Sequence, residues 1–296
     1  MDNQQTPARS IARAAAAPAT TTLAPRGGLR NPALVGRAPS TGEKRVPPVR
    51  LGASLLFAPG DRSGPQQVRA LAAAEPSFAI SFDPREDAAP RASTPAERWL
   101  EVLANGLTFD LEGLAPGTPQ PVPPGAHRYG LPPDFNGCAL EAISLRPGPQ
   151  LASGGPMLPV VRGLARLAAA LAALPGVLAV GWHAARTLSA PDHFRGSVLR
   201  WIGGGAFPGL GLTALTLSPE AALQSEGLAL FTGQELRLAP ELARDRAAGA
   251  RLALRLFHWL VEHGRLDAPV RLSGSAGEPL VLEPSANKRL VGVTRG

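Results

Sequence analysis

The run EGLALFTGQELRL (Glu226–Leu238), with the helix-forming stretch that follows it to His263, decides how this chain is read. It predicts a glycine-punctuated apolar strand interrupted by one polar cluster, Thr232-Gly-Gln-Glu235, and then a long amphipathic helix. At 100° per residue, Leu242, Gly249, Leu252, Ala253, Leu256, Phe257 and Leu260 share one face of that helix. Arg244, Arg251, Arg255, His258 and Glu262 share the other. Pro240 suits its first turn and Gly264 its C-terminal cap. The helix therefore lies on a sheet with its arginine stripe in water.

Working outward, the pattern alternates strands with helices, which predicts an α+β domain over residues 49–296 with helices packed on mixed β-sheet. Leu51–Phe57, Phe78–Phe82 and Leu107–Leu111 read as strands and Gln66–Ala74 as a helix. Thr94-Pro-Ala-Glu97 has the form of a capping box and predicts a further helix through Leu103. Residues 116–133 form a proline-rich connection. Beyond it, Ala139–Leu145, Val177–Trp182 and Leu210–Leu217 read as strands. Val160–Leu174 reads as a helix stopped by Pro175-Gly176, and Ser189-Ala-Pro-Asp192 opens another through Trp201. Two related β-α-β-α-β halves, about 49–115 and 138–293, are the expectation. Val270–Val281 closes the chain as a hairpin turning at Gly274–Gly277.

Ahead of this lies an Ala/Pro/Arg-rich tail, residues 1–48, without a periodic apolar stripe. Such a segment cannot bury enough surface to offset its ordering entropy, so disorder is expected. Nearly all of the net charge of +7 falls at this end: residues 1–50 hold eight basic and two acidic groups, whereas the remainder holds 22 basic and 21 acidic. A nearly neutral body argues against a duplex-binding face. Weak nucleic-acid or membrane-surface association through the tail is the most that its charge implies. Only Lys44 and Lys288 are lysines, and the Arg, Ala, Leu and Pro richness suits a GC-rich bacterial coding bias. No apolar run is long enough to span a bilayer, and the tail carries no secretory signal. The single cysteine, Cys138, excludes an intrachain disulfide framework. A cytoplasmic protein is expected.

The run Gly227–Leu238, its long helix and the terminal hairpin resemble the C-terminal half of domain-of-unknown-function family 4261. Val177-Leu-Ala-Val-Gly-Trp182, followed by Leu188 and Phe194, is similar to that family's strand ending in an aromatic. The likeness covers residues 138–293. It implies an α+β domain and no established activity, substrate or cofactor.

Chemistry must come from individual residues. Glu235, set into an apolar strand, is either a cleft carboxylate able to act as a base or a structural partner of Arg237 or a neighbouring loop. His183 follows a buried strand and His193 opens a helix beside Asp192. These three could meet for acid–base work, or each be satisfied locally. His258 and His263 stand roughly 140° apart on one helix and cannot share a metal. No cofactor or metal site is expected. The glycines of Trp201–Gly211 lack the lysine of a phosphate loop and sit between a helix and a strand, the reverse of a dinucleotide fingerprint. A groove for a partner, formed by Trp201, Gly204, Gly205, Thr232 and Gln234, is the alternative to simple packing. The leading expectation is a non-catalytic binding or interaction module, with a protein partner. A hydrolase or transferase using Glu235 with a histidine is the second.

Overall fold

All five residues of the first strand, β1 (Ala53–Phe57), are buried, because β1 runs through the middle of its sheet and is itself covered on both sides. The computed structural model describes residues 51–84, 99–137, 139–152, 157–274 and 277–296. Residues 1–48, expected as a tail, the Thr94–Glu97 box and Cys138 lie outside them. After β1 come α1 (Pro65–Ala74), β2 (Ala79–Phe82), β3 (Trp99–Ala104), β4 (Leu107–Glu112), β5 (His127–Tyr129) and β6 (Glu141–Pro147). Next are α2 (Pro149–Ala152), α3 (Leu158–Leu171), β7 (Val177–Trp182), β8 (Thr187–Ser189) and α4 (Pro191–Ile202). These eight strands make one sheet in the order β2-β3-β4-β6-β1-β7-β8-β5. The second sheet is built from β9 (Ala214–Leu217), β10 (Leu223–Glu226), α5 (Ala229–Thr232), β11 (Glu235–Leu238) and α6 (Pro240–Ala243). It continues with α7 (Arg246–His263), β12 (Val270–Ser273), β13 (Pro279–Pro284) and β14 (Leu290–Arg295). Its strand order is β12-β13-β14-β11-β10-β9. Pairing is antiparallel except β5 with β8 and β11 with β14, so both sheets are mixed. The α+β class with helices on mixed sheets holds.

The element order departs from two β-α-β-α-β halves. The helix expected through Leu103 is absent from residues 99–103, which belong to strand β3. Leu100, Val102 and Ala104 are buried while Trp99, Glu101 and Leu103 face outward, a period of two. Asn105-Gly106 explains this, since both residues take positive φ (51° and 75°) and join β3 to β4 as a two-residue hairpin. The first sheet also draws strands from both sides of the proline-rich connection, which contributes β5 itself.

One apolar core spans both sheets. The face of the first sheet bearing Leu55 and Phe57 packs on α3, whose buried side includes Val160, Val161, Leu164 and Ala168. An aromatic chain links the layers. Trp182 of β7 lies 6.4 Å from Phe194 of α4 and 6.4 Å from Phe231 of α5, and Phe231 packs edge-on to Phe207 and Trp201.

The long helix keeps its predicted apolar face, with Gly249, Leu252, Ala253, Leu256, Phe257 and Leu260 buried. Each large side chain there contributes roughly 1.5–3 kcal/mol. It starts later than expected: Pro240 opens the separate turn α6. The Asp245 carboxylate caps α7 by accepting from the Ala247 and Ala248 amides at 2.9 and 3.0 Å. Gly264 ends it, its N–H donating to Leu260 O at 2.7 Å.

Candidate functional site

The polar cluster at Thr232–Glu235 is a helix stop rather than part of a strand. Gly233, at φ 78°, closes the one-turn helix α5 through its N–H to Ala229 O (2.8 Å), and β11 begins only at Glu235. Thr232 is buried and its hydroxyl donates to Gln234 O at 2.8 Å. The buried Gln234 amide donates to Leu266 O (3.0 Å) and accepts from the Leu266 N–H (2.7 Å), tying β11 to the end of α7. Both residues serve packing.

Glu235 lies beside β10, which directs its carboxylate under the N-terminus of α5. Oε1 accepts from the Gly227 and Ala229 amides at 2.9 and 3.1 Å. Oε2 accepts from the Leu228 amide at 3.2 Å and from the Ser225 hydroxyl. Those amides are the orphan donors of a helix start, where negative charge is favoured. Burial pushes the Glu235 pKa up, and the four hydrogen bonds pull against that rise. With its lone pairs occupied, this carboxylate holds a helix in place.

The other expected acid–base residues use separate partners. His183 follows β7 in a one-turn 3₁₀ helix, and its Nε2 stands 2.8 Å from the Ser54 Oγ. His193, exposed on the first turn of α4, stacks on Tyr129 with centroids 6.5 Å apart. Asp192 is exposed at the same turn. That helix is entered through Ala190 and Pro191, while Ser189 is buried on β8. The expected groove is filled: Trp201 is buried against Phe207, with the Arg162 guanidinium 4.8 Å from its ring centre. Gly204 and Gly205 belong to the α4-to-β9 connection, where Gly204 takes φ 94°.

Two constellations escaped the sequence. One is at the seam of the sheets: Glu226, at the end of β10, receives a bidentate Arg186 guanidinium, and His127 Nε2 of β5 lies 3.2 Å away. Burial alone would raise the Glu226 pKa, but the Arg186 and His127 contacts outweigh it and lower it. Burial and the Glu226 charge in turn raise the Tyr129 phenol.

The other covers the face of the first sheet opposite α3. Part of that face is closed by Val122 and Leu131 of the proline-rich connection and by Phe135 just beyond it, which pack on Leu56, Ala142, Ala179 and Leu188. The rest is polar. Register sets Glu101 opposite Asp110 and Asp110 opposite Arg146. The neighbouring row runs Trp99, Glu112, Ser144, Ser54, Gly181. Gly52 is required here because a Cβ would stand 2.7 Å from His183 Nδ1, displacing the ring that reaches Ser54. Ser81 donates to Glu101 Oε1 at 2.8 Å, and Arg146 Nη1 lies 3.7 Å from Glu112 Oε2. The Asp110 carboxyl has no hydrogen bond or ion pair among the described residues. Partial burial first, then the charges of Glu112 and Glu101, raise its pKa. The signal was present as polar residues at alternate positions, Glu101, then Asp110 and Glu112, then Ser144 and Arg146. Reading residues 99–103 as helix scattered them around a cylinder.

Among the described residues, no group of three or more His, Cys, Asp or Glu is placed to hold a metal ion. None of the described helices is long and apolar enough to cross a membrane. Comparison with protein-family models, with curated proteins and with solved structures finds no match to this chain.

Proposed function

We propose that this chain is a non-catalytic binding module that meets a protein partner in the cytoplasm through the open polar face of its first sheet. The resemblance of residues 138–293 to domain-of-unknown-function family 4261, and a bacterial origin, belong to the same proposal. What supports it most is the use made of Glu235. The best carboxylate for acid–base work is bound to three helix amides and one serine hydroxyl, so it has no lone pair to offer a substrate. The part-exposed Glu101, Asp110, Glu112 and Arg146, by contrast, share one face of three adjacent strands.

A second reading is favoured by one observation, the Ser54 Oγ at 2.8 Å from His183 Nε2. In an acyl transfer, Ser54 Oγ would attack the acyl carbon as its proton passed to His183. That proton would then leave with the departing group, and water would release the acyl chain. Against this, Ser54 is 1% exposed in the middle of a strand. A fluorophosphonate probe separates the readings. The binding module leaves Ser54 unlabelled. Labelling at Ser54 that His183→Ala abolishes would replace the proposal with the acyl-transfer reading.

A further inference from the structure

We infer that the open face of the first sheet is a docking surface for an arginine-rich, extended basic peptide segment. This rests on the binding-module reading and names the partner's chemistry. In the two rows defined by strand register, β3, β4 and β6 present three carboxylates, Glu101, Asp110 and Glu112, against one guanidinium, Arg146. Arg146 compensates loosely, since its nearest approach to Glu112 is 3.7 Å and half of its side chain is exposed. Asp110 has neither a hydrogen bond nor an ion pair among the described residues, and burial first, then the charges of Glu112 and Glu101, make it harder to ionise. An incoming cation would relieve that repulsion.

A second, independent observation lies in the same row. Ser144 is 2% exposed and its Oγ has no hydrogen-bond partner, although it stands directly between Glu112 and Ser54 in the pairing register. A buried hydroxyl without a partner is an unfavourable state that a donor from a ligand would relieve. A guanidinium suits both features. Its planar fork can span Glu112 and, by displacing the loose Arg146, reach the Ser144 oxygen with a further N–H. Trp99, opposite Glu112 and packed 5.7 Å from Phe82, offers that plane an aromatic surface. Spacing argues for an extended segment, because alternate residues of a strand recur every ~6.6 Å. Asp110 and Glu112, two positions apart on β4, have the same repeat.

The test is fluorescence anisotropy of labelled hexa-arginine with the full-length chain at low ionic strength. Saturable binding is expected, weakening as salt is added. It should fall about tenfold when E101Q, D110N and E112Q are combined, given three part-exposed charge contacts. S144A should weaken hexa-arginine more than hexa-lysine, since a planar five-donor fork can bridge Glu112 and Ser144 at once, a span that a compact ammonium does not reach. The near-isosteric triple variant should keep the wild-type circular dichroism spectrum, and the salt series on the wild-type chain stands even if it does not. Undiminished binding by a folded triple variant, or no binding by the wild-type chain, would overturn the inference. If an uncharged hexapeptide binds with the same dependence on this face, the basic partner is wrong but the binding module survives. Labelling of Ser54 by fluorophosphonate removes both.

Discussion

Replacing Glu235 with alanine removes the carboxylate that serves the start of α5. Three backbone N–H groups, those of Gly227, Leu228 and Ala229, and the Ser225 hydroxyl lose their acceptor together. An unsatisfied buried donor costs about 1–3 kcal/mol, so three amides set an upper range near 3–9 kcal/mol. Part of that is returned, because a half-buried carboxylate no longer has to be desolvated, and that penalty is the leading influence on its pKa. A net loss of about 3 kcal/mol is expected, equivalent to a fall in Tm of about 6–12 °C for a domain of this size. Glu235→Gln keeps one oxygen and the shape, and should lose about 1 kcal/mol. The sign of the pH dependence follows from the raised folded pKa. Stability from this group is full below the unfolded value of about 4.3 and is lost as pH rises through the folded value. The wild-type chain should therefore gain on Glu235→Gln as pH falls through that window. Urea denaturation followed by tryptophan fluorescence at neutral and mildly acid pH measures both. An alanine variant as stable as wild type, or a glutamine variant as damaged as alanine, would refute the capping role.

Two further outcomes follow from the same geometry. Gly227→Ala should cost about 2–5 kcal/mol, read from the denaturation midpoint. Its φ of 89° strains any other residue, and a Cβ would stand 2.8 Å from that of Ala185. Glu226 behaves oppositely to Glu235 with pH: its lowered folded pKa means that its stabilisation is present above about 4.3 and lost as pH falls through the folded value. Glu226→Gln should flatten the acid limb of the stability curve; an unchanged limb would exclude the Arg186–Glu226 contact as its origin.

Much of the fold was legible because it depends on local periodicity. The face of α7 could be read from residue spacing, since a helix of 3.6 residues per turn aligns Leu252, Leu256 and Leu260 whatever surrounds it. Strands β1, β4 and β7 were equally clear from short apolar runs between turn residues. Where local signals conflicted, the reading failed. The capping box at Thr94–Glu97 points to a helix, whereas the Asn105-Gly106 turn and cross-strand pairing with β2 and β4 decide the state of Trp99–Ala104. For the site, the sequence singled out Glu235 correctly as exceptional, since a carboxylate among apolar residues must be compensated. It could not say by what.

Composition and pattern alone determined the α+β class, the near-neutral body and the concentration of positive charge before residue 51. Only the tertiary structure decided which distant residues became neighbours. Ser54 and His183 are 129 positions apart, and Glu226 draws His127 and Arg186 from the edge of the other sheet. Strand order sets such meetings, and strand order results from the packing of the whole core rather than from any one segment's preferences.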